Sequence, residues 1–322
     1  MYFVYSIHRM NFGSINIFNL PDGTIESFEF PNLAEMVIPI VTPSPSPKSE
    51  TYFFKTRRNT YKAVLTPQSF GYTVKIGGRS YLDCINISIT LQNGNVTKAK
   101  IGHIQSEPEC GFGTLLENGE TVDFIKGALQ FCKVKFPSLH TIEFDDMSMI
   151  DCGISKDKEP PRRLEKPFSL SHFSIARTGN TWYENKFGAK LIDSRLYANY
   201  RSAVHALHAP IGIPFETFCA TAQITNEQAG ILNTLYSPNH TWISFFNAIP
   251  KSKQCAAFYN WLPSFITDLI QNTFMHYGWS IDIDALENVP FELVDEPFLS
   301  GGKRAEKTRR TRGRRGVRVS NQ

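Results

Sequence analysis

Residues 70–104 limit the choice of fold more than any other part of the chain. GYTVKI, YLDCINISITL and VTKAKIGHI each read as a strand, and only Gln92-Asn93-Gly94-Asn95 separates the last two. Asn-Gly tolerates the positive φ angles of a tight hairpin turn, so these two strands are expected to be antiparallel neighbours. A glycine-rich turn, Cys110-Gly111-Phe112-Gly113, comes next, and after a polar bridge TVDFIKGALQFCKVKF places Val122, Ile125, Leu129 and Cys132 at three- or four-residue steps. That spacing predicts a helix; Pro137 ends it, and LHTIEF reads as a further strand. Strands grouped first and a helix after them imply an α+β protein.

Charged, proline-bearing residues 153–167 read as an exposed loop, and FSLSHFSIA as a helix stopped by Gly179. Thr181 and Glu184 then have the T-x-x-E spacing of a capping box, in which each side chain satisfies a backbone N–H at the helix start. Gly188 supplies a left-handed stop, so WYENKF is a two-turn helix with Tyr183 and Phe187 on one face, and AKLID follows as a strand. Beyond residue 193 the pattern is helical: SRLYANYRSAVHALH, then Phe215 to Leu235, then Cys255 to Tyr277 with Pro263 interrupting it. At the other end SINIFNL and TIESFEF flank Pro21-Asp22-Gly23 as a hairpin, and TPSPSPKS, residues 42–49, cannot enter a ladder or helix. The expected organisation is therefore an N-terminal hairpin region and proline-rich linker (1–49), a core (50–192), an α-rich lobe (193–300) and a basic tail (301–322).

The net charge of +4 conceals that tail, whose 22 residues hold nine Lys or Arg and one Glu, leaving residues 1–300 at 25 basic against 29 acidic. AAFYNWLPSFITDLI is too short, and with Asp268 too polar, to span a membrane, and reads as a buried helix. The six cysteines are widely spaced, form no CxxC pair and follow no signal peptide, so reduced thiols in an intracellular, unsecreted protein are expected.

The order strand, hairpin, glycine turn, helix, strand, tyrosine-bearing helix, Phe-Gly resembles the core of the GNAT N-acetyltransferase superfamily over residues 70–192. The resemblance implies that Gly111, Phe112 and Gly113 offer backbone N–H groups to the pyrophosphate of acetyl-CoA. It also implies that Tyr183 of WYENKFGA protonates the departing thiolate. Two departures point to a degenerate, non-catalytic version: Pro108, which has no N–H, stands three residues before Gly111, and TLLENGE separates Gly113 from the helix. For Tyr183 the competing reading is a packed tyrosine hydrogen-bonded at its tip. Glu143, Asp145 and Asp146 lie where a strand ends, a common place for functional carboxylates or for a solvated loop. His205, His208 and Cys219 lack a fourth recognisable ligand, so no metal is expected.

Lys303, Arg304, Arg309, Arg310, Arg312, Arg314 and Arg315 carry too little apolar company to fold alone. Their guanidinium density suits phosphate backbones, an acidic protein surface or a localisation signal, without base specificity. TWYE-x-x-F-x-A together with the GGKR-type tail resembles uncharacterised proteins of the nucleocytoplasmic large DNA viruses, the giant viruses. This implies a viral origin and a place in host cytoplasm, nucleus or virion. The function expected from the sequence is a degenerate GNAT-like viral protein that binds a macromolecular partner. An active acetyl-CoA-dependent N-acetyltransferase and a structural virion component are the alternatives.

Overall fold

The computed structural model describes residues 3–4, 48–78, 82–105, 108–112, 120–150, 154–155, 162–163 and 168–296. The expected N-terminal hairpin, most of the proline-rich stretch, Gly113, Cys152 and the basic tail lie outside these residues. What is described is a mixed α+β structure: one large mixed sheet with flanking helices.

The strands in chain order begin with β1 (Phe3–Val4), β2 (Glu50–Lys55), β3 (Thr60–Gln68), β4 (Gly71–Gly77), β5 (Ile85–Gln92) and β6 (Asn95–Ile104). Helix α1 (Thr121–Lys135) leads to β7 (Thr141–Phe144), then to the short strands β8 (Met149–Ile150), β9 (Ile154–Ser155), β10 (Arg162–Arg163) and β11 (Phe168–Ser169). Helices α2 (Leu170–Thr178) and α3 (Trp182–Phe187) precede β12 (Lys190–Leu191). Six helices follow: α4 (Ser194–Val204), α5 (Phe215–Thr221), α6 (Asn226–Leu232), α7 (Trp242–Ala248), α8 (Gln254–Phe258) and α9 (Leu262–Leu269). Strands β13 (Trp279–Asp282) and β14 (Glu292–Val294) return to the sheet.

The nine-stranded sheet has the order β12-β13-β7-β6-β5-β4-β3-β2-β14. Antiparallel hairpins build β2 to β6, with Asn93 and Gly94 at positive φ in the predicted turn between β5 and β6. Among the described strand pairs only β6 and β7 run parallel, and α1 is the crossover between them. Alternation along the strands puts Tyr61, Val74, Ile87 and Ile101 on the buried face, while Ser88, Thr90 and Lys98 face solvent. Helix α1 covers the buried face: Phe124 stacks on Tyr61 with ring centres 4.6 Å apart, and Phe131 on Phe54 at 5.5 Å.

Several local readings need correction. The apolar run at 256–270 is two helices, because Asn260 sits at φ +70° between α8 and α9. Pro263 does not interrupt a helix; it sits in the first turn of α9, where its missing N–H costs nothing. The helix expected from Phe168 starts at Leu170, after Phe168 and Ser169 pair with β8. Nor are the thiols all reduced: Cys84 and Cys110 form a disulfide, with Cα atoms 5.9 Å apart, and Cys255 is also disulfide-bonded. Cys132 and Cys219 are free. Antiparallel pairing brings together cysteines that are 26 residues apart, so spacing alone could not reveal the bond, and the intracellular placement loses the support of reduced thiols. Among the described residues no helix is long and apolar enough to cross a membrane.

Helix α1 packs tightly at Gly127, where an added Cβ would lie 2.6 Å from the γ-methyl of buried Thr56 and 3.2 Å from the Phe54 ring. Gly127→Ala gains about 1 kcal/mol of helix propensity but overpacks this contact by about 1–3 kcal/mol. Urea unfolding is expected to show net destabilisation of about 1 kcal/mol, which Thr56→Ser relieves by removing the methyl.

Candidate functional site

The site lies where the one parallel pair separates. Strands β6 and β7 are in register only at Lys100 with Glu143 and Ile101 with Phe144. Beyond that level β6 continues to Ile104, while β7 has ended. Two aspartates cause the departure. Asp145 accepts from Lys100 Nζ at 2.8 Å and from the Gly278 amide at 3.2 Å, and the Asp146 amide donates to the His276 carbonyl at 2.7 Å. The chain is thereby drawn off the sheet towards residues 276–278. At the same level the β5–β6 ladder shifts register, with Asn86 opposite His103 and Ile87 opposite Ile101, so Gly102 is the extra residue of a bulge.

The opening between the strands is closed by side chains. Ile101, Ile104, Phe144, Met147, Ser148 and Tyr183 surround a void of about 10 Å³, barely enough for one water. Tyr183 is 3% exposed, its ring lies 4.6 Å from that of Phe144, and its hydroxyl accepts from Ser148 Oγ at 3.3 Å. Helix α3 holds it there as the sequence predicts: Thr181 Oγ1 accepts from the Glu184 amide, Glu184 Oε2 accepts from the Thr181 amide, and Gly188 ends the helix at φ +62°.

Behind Tyr183 lies a buried polar cluster that sequence reasoning only touched, through Asp146. The His172 ring lies 5.3 Å from that of His276; its Nδ1 is 2.8 Å from Ser169 Oγ and its Nε2 3.0 Å from Thr267 Oγ1. Burial, and then the charge of His276, push the His172 pKa down to about 3, so the ring is neutral. His276 Nδ1 is 3.1 Å from the Asp146 carbonyl. Burial raises the Asp146 carboxyl to about 6, against the bonds it accepts from Ser148. The two histidines share no motif in the sequence; only the return of the chain at 276 brings His276 to His172 on α2.

The glycine turn lies elsewhere. The Phe112 amide donates to the Thr60 carbonyl at the start of β3 at 2.8 Å, and the Phe112 ring meets Phe53 at 5.1 Å. A Cβ on Gly78, just beyond β4, would sit 1.9 Å from the Glu109 carbonyl oxygen and 2.7 Å from that of Gly111, so the turn is pressed against the sheet. The structure therefore does not bring Gly111 and Phe112 to Tyr183: β3 is three strands from β6, about 14 Å at the usual spacing. At the start of α1 stands buried Glu120, whose carboxylate accepts from Asn59 Nδ2 at 2.8 Å and lies 3.7 Å from the Arg58 guanidinium. An acidic side chain thus already sits at the positive end of that helix dipole. His205 and His208 form one short 3-10 turn, and no group of three potential metal ligands occurs among the described residues.

The raised carboxyl makes a pH-dependent claim. Because its folded value of about 6 lies above the ordinary 3.8, Asp146 favours folding below pH 3.8 and loses that contribution as pH rises through 6. Asp146→Asn is therefore expected to stabilise the protein at pH 7 by about 2–3 kcal/mol and to be near neutral at pH 4, measured by urea unfolding at both values. No family model matches the chain, and neither a curated protein nor a solved structure matches it.

Proposed function

We propose that this chain is a degenerate, non-catalytic GNAT-like protein that works by binding a macromolecular partner, with its basic tail contacting nucleic acid or an acidic surface. The GNAT-like part of the reading draws support from the strand order, from the single parallel pair bridged by α1, and from the tyrosine helix beside the point where that pair separates. The six helices between β12 and β13 are read as the α-rich lobe attached to that core. The observation that carries the non-catalytic part is the filled opening: a pantetheine arm needs a channel between the two strands, and about 10 Å³ remains. The Phe112 amide, already spent on Thr60, points the same way. The giant-virus origin rests on the sequence resemblance and makes a virion component a role to be decided by mass spectrometry of purified particles.

A second reading, an active N-acetyltransferase, is favoured by the Tyr183 hydroxyl facing the opening and by the proton-accepting range of Asp146. Calorimetric titration of the full chain with acetyl-CoA separates the two. No saturable heat is expected up to ligand concentrations of about 1 mM. Micromolar binding would overturn the first reading, and its abolition by bulky replacement of Gly111 or Gly113 would put the cofactor at the glycine turn. Tyr183→Phe is expected to cost about 1 kcal/mol of stability through loss of the bond from Ser148 and to leave the acetyl-CoA titration unchanged. A fall in turnover with cofactor affinity intact would make the hydroxyl catalytic.

For the tail, removal of residues 301–322 is expected to weaken binding to duplex DNA and to flatten its dependence on salt, because fewer counterions are released. Unchanged affinity would leave a localisation signal as the tail's role.

A further inference from the structure

A further cavity lies away from the sheet opening, on the helical segment between β12 and β13. It has a volume of about 590 Å³, within the range of ligand pockets. Its floor is aromatic: Trp242, Trp261 and Phe265 are each at least nine-tenths buried. Its rim is exposed and polar, with Gln223, Asn260 and Asp268 prominent. A desolvated aromatic floor inside a hydrogen-bonding rim is the anatomy of a polypeptide interface.

Among the described residues that line it, Asp268 is the one charged side chain. None of the described residues lining the cavity is Lys, Arg or His. Helix ends of both kinds meet at the cavity: Thr221 ends α5 and Asp268 and Leu269 close α9, while Trp242 opens α7 and Trp261 caps the start of α9. The partial charges of those opposed ends offset one another, so the field a ligand meets is set by the full charge of Asp268. Asp268 is exposed and forms no ion pair among the described residues, whereas Glu120, Glu143, Asp145, Glu184 and Asp284 each have a basic partner. Gln223 at φ +54° and Asn260 at φ +70° put left-handed backbone at the mouth, where the chain reverses after α5 and α8. Indole faces attract cations, and a planar guanidinium both stacks on such faces and forks onto a carboxylate, which an ammonium cannot do.

We infer that this cavity is a receptor for a cationic side chain, and that its occupant is an arginine presented by a partner polypeptide. The site does not depend on how the sheet opening is read, and it stands whether or not that opening supports chemistry. It gives the helical segment a task that the sheet reading leaves unassigned.

The four tryptophans supply the test. The full chain is labelled with 5-fluorotryptophan and titrated with a blocked alanine peptide carrying one central arginine, followed by fluorine NMR. The signals of Trp242 and Trp261 are expected to shift saturably while those of Trp182 and Trp279 stay in place, and the same peptide with central glutamine to move none. Asp268→Asn, an exposed change, is expected to weaken the response about tenfold with all four signals otherwise native. Unmoved Trp242 and Trp261, an equal response to the glutamine peptide, or unchanged affinity in D268N would overturn the site. Equal binding of a lysine peptide would overturn the choice of arginine. Binding that appears only after Arg309, Arg310, Arg312, Arg314 and Arg315 are replaced by Gln would make this chain's own basic segment the occupant and overturn the partner assignment.

Discussion

One buried carboxylate holds the described structure together. Glu184 is the third residue of a two-turn helix, and its first duty is local, accepting the Thr181 amide. It also accepts the hydroxyls of Tyr197 at 3.0 Å and Tyr200 at 2.8 Å, and lies 3.4 Å from the Arg201 guanidinium. Helix α4 is thereby fastened to α3. Tyr200 in turn packs edge-on against Trp279, at 6.0 Å, in the strand that joins the sheet beside β7. Hydrogen bonds to a charged group contribute about 1.5–3 kcal/mol each, and a buried charge stripped of its partners costs more than any one of them. Burial and the charge of Glu184 both raise the Tyr200 phenol, so it stays a donor at any ordinary pH.

That anchor gives the sheet opening its walls. Helix α3 places Tyr183 over Phe144, while Asp145 and Asp146 pull the chain from β7 towards the strand that Tyr200 braces. The opening is therefore a by-product of two tethers, and packing then fills it. A neutral His172 bonded at both nitrogens and a raised Asp146 line the buried side. Buried polar groups stay cheap only when hydrogen-bonded, which the serine and threonine hydroxyls around His172 achieve.

Local chemistry was legible where it is decided within a few residues. The Asn93-Gly94 hairpin, the periodicity of α1, the capping box at Thr181 and the left-handed Gly188 follow from steric and hydrogen-bonding rules that need no distant partner. Strands β2 and β3 went unread because their aromatic and polar residues show no clean turn signal, and they become strands by pairing with each other and with β4. Strand β13 falls in the expected α-rich lobe, just past the last helical stretch, where no strand was read; its four residues are extended because they bridge β7 and β12. The kink at Asn260 escaped notice because its left-handed backbone is imposed by the packing of α8 and α9 rather than by a glycine.

The site divides in the same way. The sequence alone determined that Tyr183 would sit on a capped two-turn helix facing Phe187, and that an acidic pair would close β7, since spacing and strand length settle both. Only the tertiary structure decided what surrounds them: β13 inserted beside β7, His276 delivered to His172, the glycine turn pressed on β3 and β4, and Tyr183 filling the opening. Those are non-local contacts, such as that of His276 with Asp146, 130 residues away, and side-chain spacing carries no information about partners that only the folded chain brings together.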